Sequence, residues 1–208
     1  MPVQVKICGI TSVEQAQMVK AAGADAIGLV LYNKSSRHVE LNRAVAIRDS
    51  LDCSIMLVTL MVNASADEVK QVIDLVRPDL LQFHGDESPD FCHQFDYPFI
   101  RAVRMHKELD IPRETDRYRP SGGFLFDAWH ADQYGGTGSR FDWRRLPLSR
   151  DYKLILAGGL NPDNVSEAVR QVSPDMVDVS GGVESSPGVK DESKVVRFVK
   201  NAKDVVEL

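Results

Sequence analysis

Cysteine is scarce in this sequence. Three cysteines occur in 208 residues, and no two of them have CxxC spacing. An odd number without that spacing argues against a disulfide framework and against a zinc site, and it is typical of a reducing compartment. Cys53 and Cys92 are each expected to be a small buried hydrophobic residue. We therefore predict a cytoplasmic protein without a metal centre.

Long apolar runs and an excess of positive charge are also missing. No run of about eighteen apolar residues occurs, which argues against a membrane-spanning helix. Residues 1–6 contain no apolar signal core and pass directly into a strand pattern. Lysine and arginine number 25 against 30 aspartates and glutamates, and they are spread along the chain. The sequence therefore predicts neither a nucleic acid nor a membrane as partner.

Strand patterns and helical patterns alternate regularly along the chain. Apolar residues make up 43% of the sequence, enough for one full core. Alternation at this spacing predicts parallel strands joined by right-handed crossovers. Eight repeats favour a single α/β domain, a closed (β/α)8 barrel over residues 1–208, with an open doubly wound sheet as the alternative. The predicted strands are residues 5–8, 26–31, 54–62, 80–83, 99–103, 122–126, 152–156 and 176–179.

Polar residues and glycines follow many of these strands. In a (β/α)8 barrel the carboxyl ends of the strands form the face on which active sites lie. Glycines after strands seven and eight favour a phosphate site, since their N–H groups can approach the oxygens, although a plain turn is the alternative for the second pair. No lysine-bearing P-loop occurs, so a nucleoside triphosphate is not expected. The candidate site residues are Cys8, Arg37, His84, Asp127, Gly158, Gly159, Asp178, Ser180, Gly181 and Gly182.

Cys8 and Asp127 end the first and sixth predicted strands. Paired across a barrel mouth, they suggest a general acid and a general base. Their ordinary pKa values are about 8.5 and 4, so the site must lower one or raise the other. Cys8 could instead be a small core residue, and Asp127 a helix cap or a solvated strand end. Lys6 shares a strand face with Cys8 but lies deeper, where it needs a partner such as Asp178.

Several charged residues near these strand ends have two interpretations. Arg37 lies in a polar loop and is either a solvated charge or a bidentate clamp for a carboxylate. His84 is either a substrate contact or a satisfied strand-end histidine. Asp86 and Glu87 are expected to be surface charges. The glycine-rich residues 135–138 follow Asp127 in the chain and form either a lid or a tight connection.

Seven motifs occur in one order over nearly the whole chain. They are KICGIT (6–11), LQFHG (81–85), LFD (125–127), GGTG with FDW (135–143), AGGLNP (157–162), DVS with GVE (178–184) and PGVKD (187–191). Together they resemble the phosphoribosylanthranilate isomerase family of tryptophan biosynthesis. One motif would be weak evidence, but the set in this order is highly specific.

The resemblance implies an Amadori rearrangement of N-(5-phosphoribosyl)anthranilate to 1-(2-carboxyphenylamino)-1-deoxyribulose 5-phosphate. Asp127 would match the general acid, Cys8 the general base, and Arg37 the arginine that holds the anthranilate carboxylate. The glycines after strand seven and the segment from Ser180 onward would match the phosphate site. The resemblance implies no metal or organic cofactor, because the anthranilate nitrogen serves as the electron sink. The expected partner is this small molecule, and the chain could act as a monomer or a homodimer.

Two positions depart from the family pattern. Ser36 precedes Arg37 where the family usually has proline, and Gly181 stands where it usually has a second serine. Neither change affects Cys8 or Asp127. Two alternatives to the isomerase stay open: another phosphosugar enzyme on the same barrel, and a phosphosugar-binding relic without catalysis.

Overall fold

The structure, a computed structural model, describes residues 2–128 and 141–205. Eight parallel strands form a closed barrel in chain order, in which the first strand pairs with both the second and the eighth. The predicted (β/α)8 barrel is therefore confirmed, and the open sheet is excluded. The strands are β1 Gln4–Cys8, β2 Ala26–Val30, β3 Met56–Met61, β4 Leu80–Phe83, β5 Phe99–Met105, β6 Gly123–Ala128, β7 Leu154–Leu156 and β8 Met176–Val179.

Helices follow the strands and cover the outside of the barrel. Several begin at capping residues that were evident in the sequence: Ser65 forms a reciprocal capping box with Glu68, and Pro112 lies in the first turn of its helix. The helices are α1 Val13–Ala21, α2 Leu41–Asp49, α3 Ala66–Gln71, α4 Pro89–His93, α5 Ile111–Tyr118, α6 Val165–Val172 and α7 Glu192–Lys203. A π-helical turn, Val72–Val76, extends α3, and a 3-10 turn, Trp143–Arg145, precedes β7. No helix in the described ranges is long and apolar enough to cross a membrane.

Alternation along the strands separates two buried layers. In β1, Val5 and Ile7 belong to the large cluster between barrel and helices, which includes Val195 and Phe198 of α7. Lys6 and Cys8 lie on the opposite face, inside the barrel, and both are buried. The interior face of β1 therefore carries the buried Lys6 and, at the carboxyl end of the strand, the Cys8 thiol.

A small antiparallel hairpin follows β8 and was not predicted. A 3-10 turn, Gly181–Val183, leads into β9 Glu184–Ser186, which pairs with β10 Val189–Lys190. The Gly188 carbonyl at its tip accepts a hydrogen bond from Thr11 Oγ1 at 2.8 Å. The hairpin is thus anchored to the segment that opens α1.

Two predictions of burial were wrong. Cys53 is exposed, because it lies in the turn before β3 rather than in a strand, whereas Cys92 is buried as expected. Glu87 is buried rather than on the surface: its carboxylate accepts hydrogen bonds from Arg101 Nη1 at 2.8 Å and from the Gly85 N–H at 2.9 Å. Asp86, by contrast, is exposed as predicted.

Candidate active site

A cavity of about 450 Å³ opens at the carboxyl ends of the strands. Its volume lies in the range of small-molecule sites. Every candidate residue from the sequence lines it, from Cys8 on β1 to Gly182 after β8. Tyr32, Asn161 and Glu184 also line it, and none of them was singled out as a site residue from the sequence. The tertiary structure therefore brings the predicted residues into one place.

Cys8 lies at the floor of this cavity. The space beside it depends on Gly28 of β2, because a Cβ atom there would lie 2.7 Å from the Cys8 Sγ. Below it, Lys6 Nζ donates to Asp178 Oδ1 at 2.8 Å, which is the partner that the sequence suggested. Burial raises the pKa of the Cys8 thiol, and the Lys6 ammonium offsets part of that increase. The thiol is thus a weak acid next to a fixed positive charge.

The Lys6 ammonium stays charged despite its complete burial. Burial alone would lower the pKa of Lys6, but the attraction of Asp178 and then of Cys8 outweighs it, so that the pKa lies above its usual value. A thiolate at Cys8 would therefore have a permanent cation as its neighbour.

Asp127 lies at the end of β6 with two neighbours. Its Oδ1 accepts a hydrogen bond from the Ala128 N–H at 2.8 Å, and its Oδ2 is 3.5 Å from Nε2 of His84. The other ring nitrogen of His84 is 3.0 Å from the Gln82 amide nitrogen. With the amide in this orientation, Nδ1 accepts and the ring hydrogen lies on Nε2, facing Asp127. His84 is thus both buried beside Asp127 and part of the cavity wall.

The loops after β7 and β8 pack closely against each other. Gly158 and Gly159 have φ angles of 83° and 66°, a region that glycine adopts at least cost. A Cβ atom on Gly182 would collide with the Leu160 carbonyl oxygen. Glycines at these positions thus allow two stretches of backbone to approach each other at the cavity rim. Backbone N–H groups in such an arrangement suit a phosphate.

Arg37 does not extend freely into solvent. Its Nε and Nη2 donate to the two carboxylate oxygens of Glu184, each at 2.8 Å. Burial would raise the pKa of Glu184, but hydrogen bonds from Arg37 and the charge of Lys190 outweigh it and leave that pKa below its usual value. Arg37 is therefore a fixed cation in the cavity wall.

The glycine-rich residues 135–138, interpreted from the sequence as either a lid or a tight connection, lie outside the described residues. Within the described ranges, no group of three or more His, Cys, Asp or Glu side chains could hold a metal ion.

The fold and this cavity define a class: (β/α)8-barrel enzymes whose site lies at the carboxyl face. A buried thiol, a buried carboxylate and glycine-rich loops after the last two strands face one space.

Comparisons with known proteins identify the family within that class. Residues 5–201 match the family model of N-(5'phosphoribosyl)anthranilate (PRA) isomerase. The isomerase of Stutzerimonas stutzeri is 48% identical over 207 residues, covering 99% of this chain and 100% of that protein. The isomerase of Neisseria meningitidis serogroup C is 47% identical over 200 residues, covering 96% of each chain.

Solved structures agree with the sequence comparison. The phosphoribosyl anthranilate isomerase of Thermotoga maritima has a TM-score of 0.89 and 36% identity, covering 97% of this chain and 98% of its own. Another solved phosphoribosyl anthranilate isomerase, in complex with reduced 1-(o-carboxyphenylamino)-1-deoxyribulose 5-phosphate, has a TM-score of 0.82 and 35% identity, with the same coverage. The chain belongs to the N-(5'-phosphoribosyl)anthranilate isomerase family, the isomerases of tryptophan biosynthesis, and is an enzyme.

Proposed function

We propose that this enzyme converts N-(5'-phosphoribosyl)anthranilate to 1-(2-carboxyphenylamino)-1-deoxyribulose 5-phosphate, with Asp127 as general acid and Cys8 as general base. The observation that carries the proposal is that both side chains line one cavity with the glycine loops and Arg37. An acid and a base are needed because the Amadori rearrangement moves one proton onto oxygen and removes another from carbon.

The first step opens the sugar ring. Asp127, in its protonated form, donates its proton to the furanose ring oxygen. The C1–O bond then breaks, and the lone pair of the anthranilate nitrogen forms a C1=N double bond. Asp127 is buried beside His84, and this position supports the role of general acid because a buried carboxyl group can transfer a proton without competition from solvent.

The second step removes the proton at C2. The Cys8 thiolate takes this proton, the C–H electrons form a C1=C2 bond, and the C=N electrons return to nitrogen. The enolamine then gains a proton at C1 and loses the proton of its C2 hydroxyl, which yields the ketone. Lys6 supports this step because its positive charge offsets part of the effect of burial, which disfavours the thiolate.

The two ends of the substrate have separate sites in this proposal. The phosphate binds backbone N–H groups of Gly158, Gly159 and the segment 180–182, and the anthranilate carboxylate binds Arg37. Separate anchors at both ends hold C1 and C2 between the acid and the base. The reaction as written uses no metal or organic cofactor, since the nitrogen accepts the electrons.

The expected setting is a cytoplasmic pathway with a small-molecule substrate. A monomer and a homodimer both fit this proposal. A solved relative is described as monomers generated from a dimeric phosphoribosylanthranilate isomerase of Thermotoga maritima (TM-score 0.82, 34% identity, coverage 97% and 98%).

The test follows the loss of anthranilate-type fluorescence when purified protein meets phosphoribosylanthranilate generated in situ. We expect decay with the wild-type protein and none above background with Cys8→Ser. Decay that persists in the variant would remove Cys8 from its role as base. A wild-type protein without activity would favour a different phosphosugar substrate or a binding role.

A further inference from the structure

Glu184 lines the cavity but has no part in the steps above. It follows the 3-10 turn after β8, whereas Arg37 lies in the loop after β2. The two side chains form a bidentate pair, with both N–O distances at 2.8 Å. A bidentate pair fixes the plane of a guanidinium as well as its position.

Glu184 is itself held from its other side. Lys190 of β10 donates to Glu184 Oε1 at 2.8 Å and to the Ser180 carbonyl oxygen at 3.2 Å. The Lys190 side chain is fully buried, and that of Glu184 is 5% exposed. If Glu184 left Arg37, it would remain a buried carboxylate with fewer partners, which is unfavourable. The pair is therefore built to persist when a ligand enters.

Two glycines let the Arg37 side chain lie close to the backbone. A Cβ atom on Gly9 would lie 2.5 Å from the Arg37 Cδ, and one on Gly181 would lie 3.2 Å from its Nη2. The arginine side chain thus passes over the backbone at both positions. Gly181 is also one of the two departures from the family pattern, and its missing side chain leaves room beside the guanidinium.

The guanidinium has two bidentate edges, of which Glu184 occupies the Nε–Nη2 edge. Nη1 and the second hydrogen of Nη2 form the other edge, and no residue in the described ranges hydrogen-bonds Nη1. A carboxylate that lies in the plane of the guanidinium can bind this edge with two parallel hydrogen bonds.

We infer that Glu184 is a positioning residue: anchored by Lys190, it holds Arg37 so that its free edge receives the carboxylate of the substrate. This inference rests on the proposed function, in which Arg37 binds that carboxylate. The effect is preorganisation, because an arginine already fixed loses little rotational freedom on binding.

The experiment measures the dissociation constants of two inert ligands. One is reduced 1-(o-carboxyphenylamino)-1-deoxyribulose 5-phosphate, and the other is the same compound with an unsubstituted phenyl ring. The proteins compared are the wild type, Arg37→Ala, Glu184→Gln and the control Glu40→Gln. Glu40 is three residues from Arg37 and its carboxylate is 80% exposed, so this control removes the same charge without touching the pair.

We expect Glu184→Gln to increase the dissociation constant of the carboxylate-bearing ligand about tenfold and that of the phenyl ligand less than about twofold. The four constants form a double-mutant cycle in which one change is in the protein and the other is in the ligand. Arg37→Ala should abolish the difference between the two ligands, and Glu40→Gln should leave it as in the wild type. Equal weakening of both ligands by Glu184→Gln would mean a merely structural role and would overturn the inference. No weakening of either would also overturn it.

Failure of the proposed function has a different signature. If the wild type bound neither ligand, or if Arg37→Ala kept the preference for the carboxylate, the carboxylate site on Arg37 would be refuted. The inference about Glu184 would then be overturned together with it.

Discussion

Cys8 illustrates how single residues acquire chemistry from their surroundings. A thiol in an apolar pocket is inert, because burial favours the neutral form. Burial also raises the pKa of Cys8, but Lys6 lies two residues earlier on the same strand face and its charge lowers that pKa in part. Lys6 Nζ itself donates to Asp178 Oδ1 at 2.8 Å. Burial also raises the pKa of Cys92, to about 12, and there the charge of Arg101 offsets part of the increase.

Removal of either proposed acid–base residue should separate catalysis from folding. We expect Cys8→Ala and Asp127→Asn each to lower kcat by about two orders of magnitude or more, as loss of a positioned acid or base does. Stopped assays give kcat, and circular dichroism during heating verifies that the fold is retained. A variant with a near-wild-type rate would exclude the affected residue from its proposed role.

The pH dependence of the reaction should reflect the raised pKa of Cys8. A base must be deprotonated, so a raised pKa makes the active thiolate scarcer near neutrality and more abundant as the pH increases. In the wild type the requirement for a protonated Asp127 opposes this trend, so we examine Asp127→Asn, in which only the base titrates, and expect its residual kcat/KM to increase from about pH 7 to about pH 9. Initial rates over this range, corrected for loss of protein stability, provide the check. A kcat/KM that stays constant over this pH interval would contradict the role of the Cys8 thiol as base.

At the scale of elements, the loops after β7 and β8 act together. In the proposed phosphate site, backbone N–H groups of both loops contribute to binding. Their convergence depends on Gly182, where any side chain would collide with the Leu160 carbonyl oxygen. The hairpin that follows β8 is hydrogen-bonded to Thr11, which lies between β1 and α1. The last part of the chain is therefore held against the first part.

Gly182→Ala should push the two loops apart. We expect KM to increase about tenfold or more, with a smaller effect on kcat, because the phosphate anchor is lost while Cys8 and Asp127 stay in place. Steady-state kinetics, together with inhibition by inorganic phosphate, measures the change. A KM equal to that of the wild type would show that the phosphate does not bind between these loops.

At the scale of the whole molecule, closure of the barrel joins β1 to β8. The strands pair from Gln4 with Met176 to Ile7 with Val179, and the Lys6–Asp178 pair spans the same seam. These residues are separated by 172 positions in the chain. The buried ion pair therefore forms only when the first and last strands meet.

Lys6→Met should destabilise the protein by about 3–5 kcal/mol, because it leaves the Asp178 carboxylate buried without its partner. The double variant Lys6→Met/Asp178→Leu should recover most of this loss in urea unfolding, but not the activity. Lys20→Met is the matched control: its ion pair with Asp52 lies at the protein surface and should contribute much less. Equal unfolding free energies for Lys6→Met and Lys20→Met would contradict the argument.

Local patterns allowed much of this fold to be predicted. Glu192 to Lys203 forms the predicted closing helix with unchanged bounds, and Leu80–Phe83 forms the predicted fourth strand, because period and capping residues are properties of neighbouring positions. The face on which Cys8 and Asp127 lie follows from parallel strands alone. Even the pairing of Lys6 with Asp178 could be suggested, since a charge inside a barrel needs a partner.

Other features depend on segments that are distant in sequence, and only the tertiary structure decided them. Glu87 looked like a surface charge, yet Arg101, on the neighbouring strand, makes its burial possible. Glu184 and Arg37 are 147 positions apart, and no local signal links them. The sequence by itself determined the eight repeats and the residues at their ends, because strand and helix periods are local. The partners of the buried charges required the closed barrel, because a charge removed from water needs an opposite charge beside it and these partners are distant in the sequence.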